Sequence, residues 1–114
     1  MLGKVLTKKG ILMNVKVAVF GTLRFPPDRM AEVLPHLKTL VDATYKNDGC
    51  ISYDVAVDPF DSGLIRFSEL WPSQTSLDNH LIAPHIEPWR AVAKQCGLMT
   101  REFTAYELSD SRSV

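Results

Sequence analysis

The chain lacks the features that mark several large function classes. Only two of its 114 residues are cysteines, Cys50 and Cys96, and neither belongs to a CxxC pair or a Cys/His ligand spacing. No disulfide framework or metal-ligand cluster is therefore legible, and the expected metal content is none. No glycine-rich strand-to-helix turn of the nucleotide or flavin type occurs, so no cofactor is expected either. Thirteen basic residues balance thirteen acidic ones, leaving no excess charge to attract nucleic acid or an anionic membrane. Lys4, Lys8 and Lys9 cluster near the start and read as a solvated end. No apolar run reaches the length of a bilayer-spanning helix, and the first residues lack the apolar core and cleavage site of a signal peptide. A cytoplasmic location follows as the expectation.

What the chain does have is periodicity. Residues 1–13 show no clear period and are expected to form an N-terminal extension. From Asn14 to Leu23 the valines at 15, 17 and 19 alternate, which predicts a first strand. Pro26-Pro27-Asp28 breaks it, and from Met30 apolar residues at Val33, Leu34, Leu37, Leu40 and Val41 follow the three-and-four spacing of an amphipathic helix, with Pro35 expected to kink or shorten its first turns. Asp48-Gly49 marks the exit turn. Ile51, Tyr53, Val55 and Val57 alternate along a second strand, and Asp58 to Gly63 supply a hairpin loop into a third at 64–71. A helical region from Ser73 to about Cys96 ends at Gly97, and Thr100 to Leu108 reads as the last strand. Cys50 and Cys96 fall at small core positions.

The order β-α-β-β-α-β is a split βαβ pattern. It predicts one α+β, ferredoxin-like domain over 14–108, an antiparallel sheet with helices on one face, and a tail at 109–114. At this size a sizeable ligand site would borrow surface from a partner. The uncovered sheet face predicts a homodimer.

Candidate site residues concentrate between 67 and 89. Phe67, Glu69 and Trp71 share one face of a strand; Pro72 ends its pairing, and Ser73 can cap a helix. Helices lying back to bury Leu77, Leu81, Ile86 and Trp89 would bring His80 and His85 over that face. His80, titrating near neutrality, either accepts the proton of a bound hydroxyl group or makes only a structural hydrogen bond at a helix end. His85 is the second choice of base. Glu69, a carboxylate among apolar neighbours, is expected to pair with a histidine or with backbone donors. Trp71, Phe67, Tyr53 and Phe20 are candidates to enclose a planar substrate, with about two of the four touching it. Trp89 joins them from the second helix, and Arg66 is expected on the opposite face.

The stretch Gly49-Cys50-Ile51-Ser52-Tyr53, then Phe67-Ser68-Glu69-Leu70-Trp71, then Leu77-x-x-His80-x-x-x-Pro84-His85 resembles the antibiotic biosynthesis monooxygenase domain family, which includes quinol monooxygenases. The resemblance implies a dimeric α+β barrel and a cofactor-independent monooxygenase whose partners are dioxygen and a small electron-rich aromatic or quinol. The family also includes isomerases of small signalling molecules and haem-degrading enzymes, so the alternative is a non-oxygenase member, an isomerase or a dimeric ligand-binding protein. Haem-degrading relatives carry an asparagine midway along the first strand. Val17 to Thr22 offers none, which weakens that reading.

Overall fold

The computed structural model describes residues 4–6 and 12–114. Lys8, Lys9 and the rest of the expected 1–13 extension at 1–3 and 7–11 lie outside the described residues. Within that extension Lys4–Leu6 (β1) and Leu12–Asn14 (β2) pair antiparallel, Lys4 opposite Asn14. Asn14 therefore closes a short ribbon, and the first strand of the main sheet begins at Val17.

That sheet is antiparallel and has four strands, Val17–Arg24 (β3), Ser52–Val57 (β4), Leu64–Trp71 (β5) and Thr100–Glu107 (β6), in the order β4-β5-β3-β6. After β3 a 3₁₀ turn at Pro27–Arg29 leads into α1, Met30–Asn47. Pro35 is the sixth residue of α1, past the N–H groups that lack an intrahelical acceptor, so it removes one bond to the Ala31 carbonyl, and α1 nevertheless continues past it. The segment between β5 and β6 holds Gln74–Leu81 (α2) and Ile86–Gln95 (α3). Pro84 separates them, because the residue before a proline is pushed out of helical conformation. Gly49 and Gly97, at φ 72° and 84°, turn the chain out of α1 and α3 in the left-handed region. This is the ferredoxin-like arrangement expected from the element order.

Register explains which face is buried. Tyr53, Glu69, Val19 and Ala105 form one row across the sheet, and Val55, Phe67, Gly21 and Phe103 the next. Strand alternation turns both rows towards the helices. There Val33, Leu37 and Leu40 of α1 and Leu77 of α2 join Val17, Phe67 and Trp71 in one buried apolar cluster. The opposite face carries Phe20, Thr22, Ser68, Thr104 and Tyr106, and no helix of the described residues lies over it. Phe20 and Tyr106 are 54% and 51% exposed, their ring centroids 6.1 Å apart. Cys50 and Cys96 form no disulfide with one another, and Cys96 lies in the core. Among the described residues no helix is long and apolar enough to cross a membrane.

Candidate functional site

The site begins where β5 ends. Pro72 stops the ladder and Ser73 caps α2, its Oγ accepting from the Ser76 N–H at 3.0 Å. The helix thus starts directly above Trp71. Leu77 and His80, three residues apart, both face the sheet and are buried. The His80 ring lies 4.9 Å from the Trp71 ring and 5.2 Å from that of Tyr53. Past Pro84, His85 stands at the start of α3.

Both imidazoles converge on one oxygen. Asp48, the residue that ends α1, places Oδ2 2.7 Å from His80 Nδ1 and 2.7 Å from His85 Nε2. The three side chains are 6%, 4% and 17% exposed, so water contributes little to their solvation. A carboxylate only accepts, which assigns the protons: His80 carries N–H at Nδ1 and His85 at Nε2. His80 Nε2 is then a free lone pair with no protein partner among the described residues. A carboxylate at a helix C-terminus opposes the helix dipole, so the two imidazole donors offset an otherwise unfavourable placement. Burial lowers the His80 pKa, while the hydrogen bond and charge of Asp48 raise it in part. Asp48, His80 and His85 are also a set that could hold a metal ion, with ligand atoms within 4.8 Å of one another; an ion there must displace both N–H···O bonds.

A cavity of about 340 Å³ lies between the sheet and α2–α3. Val19, Leu23, Phe67 and Phe103 form its floor, Leu77, Trp89 and Ala93 its roof, and Tyr53, Glu69, His80, Arg90 and Arg101 its polar groups. Glu69 Oε1 accepts from the Trp71 indole Nε1–H at 3.0 Å. Burial pushes the Glu69 carboxyl up to about 7, partly opposed by that hydrogen bond and by the charge of Arg101. Burial first, then the nearby Glu69 charge, also raises the Tyr53 phenol, which stays neutral.

Several expectations need correction. Glu69 does not meet either histidine: Trp71 takes it, and Asp48 is the histidines' carboxylate. Trp71 is fully buried and is not part of the cavity wall, because α2 starts directly above it and the Tyr53 and His80 rings pack against it. Phe20 faces away from the cavity, since its position on β3 alternates with Val19, which lines it. His85 reaches Asp48 but not the cavity. Phe67, Tyr53, Trp89, Glu69 and His80 do line it, and Arg66 sits on the opposite face paired with Asp58 at 2.7 Å. Asp48 and Arg101 were missed. A carboxylate set against a helix dipole was the available sign of Asp48; alternation with Phe103 was that of Arg101.

A model described as "Antibiotic biosynthesis monooxygenase" matches residues 16–92, which include Asp48, Glu69, His80, His85 and Arg90 and leave β6 outside. Rv0793 of Mycobacterium tuberculosis is 32% identical over 89 residues, 78% of this chain and 85% of the relative. Its solved structure has a TM-score of 0.74 at 28% identity, covering 85% of this chain and 98% of that one. A Deinococcus radiodurans crystal structure has a TM-score of 0.80 at 26% identity, covering 86% and 97%. A solved antibiotic biosynthesis monooxygenase has a TM-score of 0.75 at 25% identity, covering 81% and 97%.

Proposed function

The chain belongs to the antibiotic biosynthesis monooxygenase family, and from that membership and the geometry of its cavity we propose that it oxygenates a small electron-rich phenol or quinol without a bound cofactor. The observation that carries the reading is His80. One ring nitrogen is tied to a buried carboxylate, and the other is free in an apolar cavity beside Glu69, whose carboxyl burial pushes up to about 7, so that a substantial share of it keeps its proton at neutrality. Environments that push a histidine down and a carboxyl up separate the roles of base and acid.

In the proposed reaction His80 Nε2 takes the hydroxyl proton of the phenol, and the electron-rich ring carbon of the phenolate bonds to dioxygen. The proton returns from His80 to the peroxide so formed. His80 then removes the C–H proton at that carbon while the O–O bond breaks, and Glu69 protonates the departing oxygen, which leaves as water. Transfer of the proton from His80 to Glu69 restores both. One oxygen atom ends in the product carbonyl and one in water, and the substrate supplies all four electrons. Asp48 is a positioning residue that fixes the His80 tautomer, and His85 steadies Asp48.

An oxygen electrode with a panel of phenols, catechols and hydroquinones tests this. His80→Ala should lower turnover by about 10²-fold or more, the usual scale for losing a general base. Asp48→Asn should lower it less and shift the pH profile. Full activity of a folded His80→Ala protein on a confirmed substrate refutes the assignment. The same acid and base could enolise a hydroxy-carbonyl compound; proton exchange into such a compound without oxygen uptake would select that second reading.

A further inference from the structure

The lining of the cavity described above carries a charge imbalance. Arg101 and Arg90 both line it, one from the sheet and one from α3. Among the described residues neither forms an ion pair. Arg90 donates from one nitrogen to the Leu81 carbonyl at 3.2 Å, an uncharged partner. The Arg101 guanidinium lies 4.5 Å over the centre of the Phe103 ring, which in turn packs 5.0 Å from Phe67 on the cavity floor. Stacking on the aromatic face holds the plane of the guanidinium and leaves its edge donors free.

The anions nearby do not balance these two cations. Among the described residues Glu69 is the one carboxyl in the lining, and with its carboxyl pushed up to about 7 it carries only part of a negative charge at neutrality. Asp48 lies behind His80 and spends one oxygen on two imidazoles. Strand alternation puts Glu102 on the opposite face of the sheet. Two fixed positive charges therefore border an otherwise apolar cavity whose hydroxyl-recognising groups, His80, Glu69 and Tyr53, belong to other elements.

We propose that the cavity selects an aromatic substrate that carries a carboxylate, with Arg101 and Arg90 reading that group and Phe67, Phe103 and Trp89 holding the ring. The forked edge of a guanidinium matches a planar carboxylate and gives a charge-assisted pair of hydrogen bonds. This rests on the cavity being the substrate site and names the substrate class for it.

Calorimetric titration under nitrogen tests the proposal without turnover, using 2,5-dihydroxybenzoate and hydroquinone as a pair that differs by the carboxylate. The wild-type protein should bind the carboxylated probe about tenfold or more tightly, with a preference that weakens as salt rises. Arg101→Gln should lose most of that preference, read as the ratio of the two affinities in the same variant. Arg101→Lys, which keeps the charge but not the fork, should retain part of it, and Arg90→Gln should remove a smaller share. Equal affinity for the two probes in the wild-type protein, no binding of either, or an undiminished preference in both Gln variants overturns the proposal. Because oxygen uptake is not the readout, a failure of the oxygenase reading leaves this result standing, and the reverse holds as well.

Discussion

Replacing Glu69 with Gln should stabilise the protein above neutrality and do little in acid. Glu69 is 3% exposed, and burial raises its carboxyl from the ordinary 4.5 to about 7. For an acid with a raised pKa the folded state holds its proton longer than the unfolded chain. Stability therefore falls as pH rises from 4.5 to about 7 and levels off above that. The interval, about 7 less 4.5, corresponds to roughly 3 kcal/mol at about 1.4 kcal/mol per unit, an order-of-magnitude upper figure. Glutamine keeps the shape and a carbonyl for the Trp71 N–H but has no proton to lose. Buried His80 acts in the opposite sense: its lowered pKa means stability is lost as pH falls below its ordinary 6.5. That slope is common to both proteins and cancels in the difference. Guanidinium unfolding followed by circular dichroism, at one protein concentration and from about pH 4.5 to about pH 8.5, gives the difference curve. Near-equal stability in acid with a growing advantage for the variant up to neutrality is the expected result. A flat difference, or a variant that is less stable by the same amount throughout, would refute the argument that the carboxyl is desolvated in the fold.

Other outcomes follow from packing. A Cβ on Gly21 would overlap the Phe103 ring across the β3–β6 pair, so Gly21→Ala should cost about 1–3 kcal/mol of unfolding free energy, the scale of overpacking. Phe103→Ala in the same background should relieve the clash; additive loss in the double variant would show that the overlap is not the cause. The bare sheet face, with Phe20 and Tyr106 half exposed, is proposed to pack against a second copy of the chain. Sedimentation at micromolar concentration should then show a dimer that Phe20→Glu dissociates, and a monomeric wild-type protein would count against it.

Much of the fold was legible because it depends on local rules. Alternation in β3, β4 and β5 follows from strand geometry, and the three-and-four spacing of α1 from helix geometry. The breaks at Pro72, Pro84 and Gly97 follow from backbone chemistry. The same alternation rule placed Phe67 and Glu69 towards the helices and Arg66 away from them. Phe20 was misplaced for want of its application: β3 has apolar residues on both faces, so composition alone did not say which of Val19 and Phe20 turned inwards.

The sequence by itself determined the element order, the helix-covered face of the sheet and the delivery of His80 from α2 onto that face, because each is set by neighbours a few residues apart. Only the tertiary structure decided which carboxylate the histidines meet. Asp48 lies 32 residues from His80 and 37 from His85, and the contact exists only because the end of α1 and the α2–α3 junction are packed over the same sheet. It also decided that Trp71 holds Glu69 and that Arg101 faces the cavity stacked on Phe103, with no ion pair among the described residues. Hydrogen-bond partners and charge balance depend on distances across the fold, and nothing in the order of residues along the chain fixes those until the layers have closed.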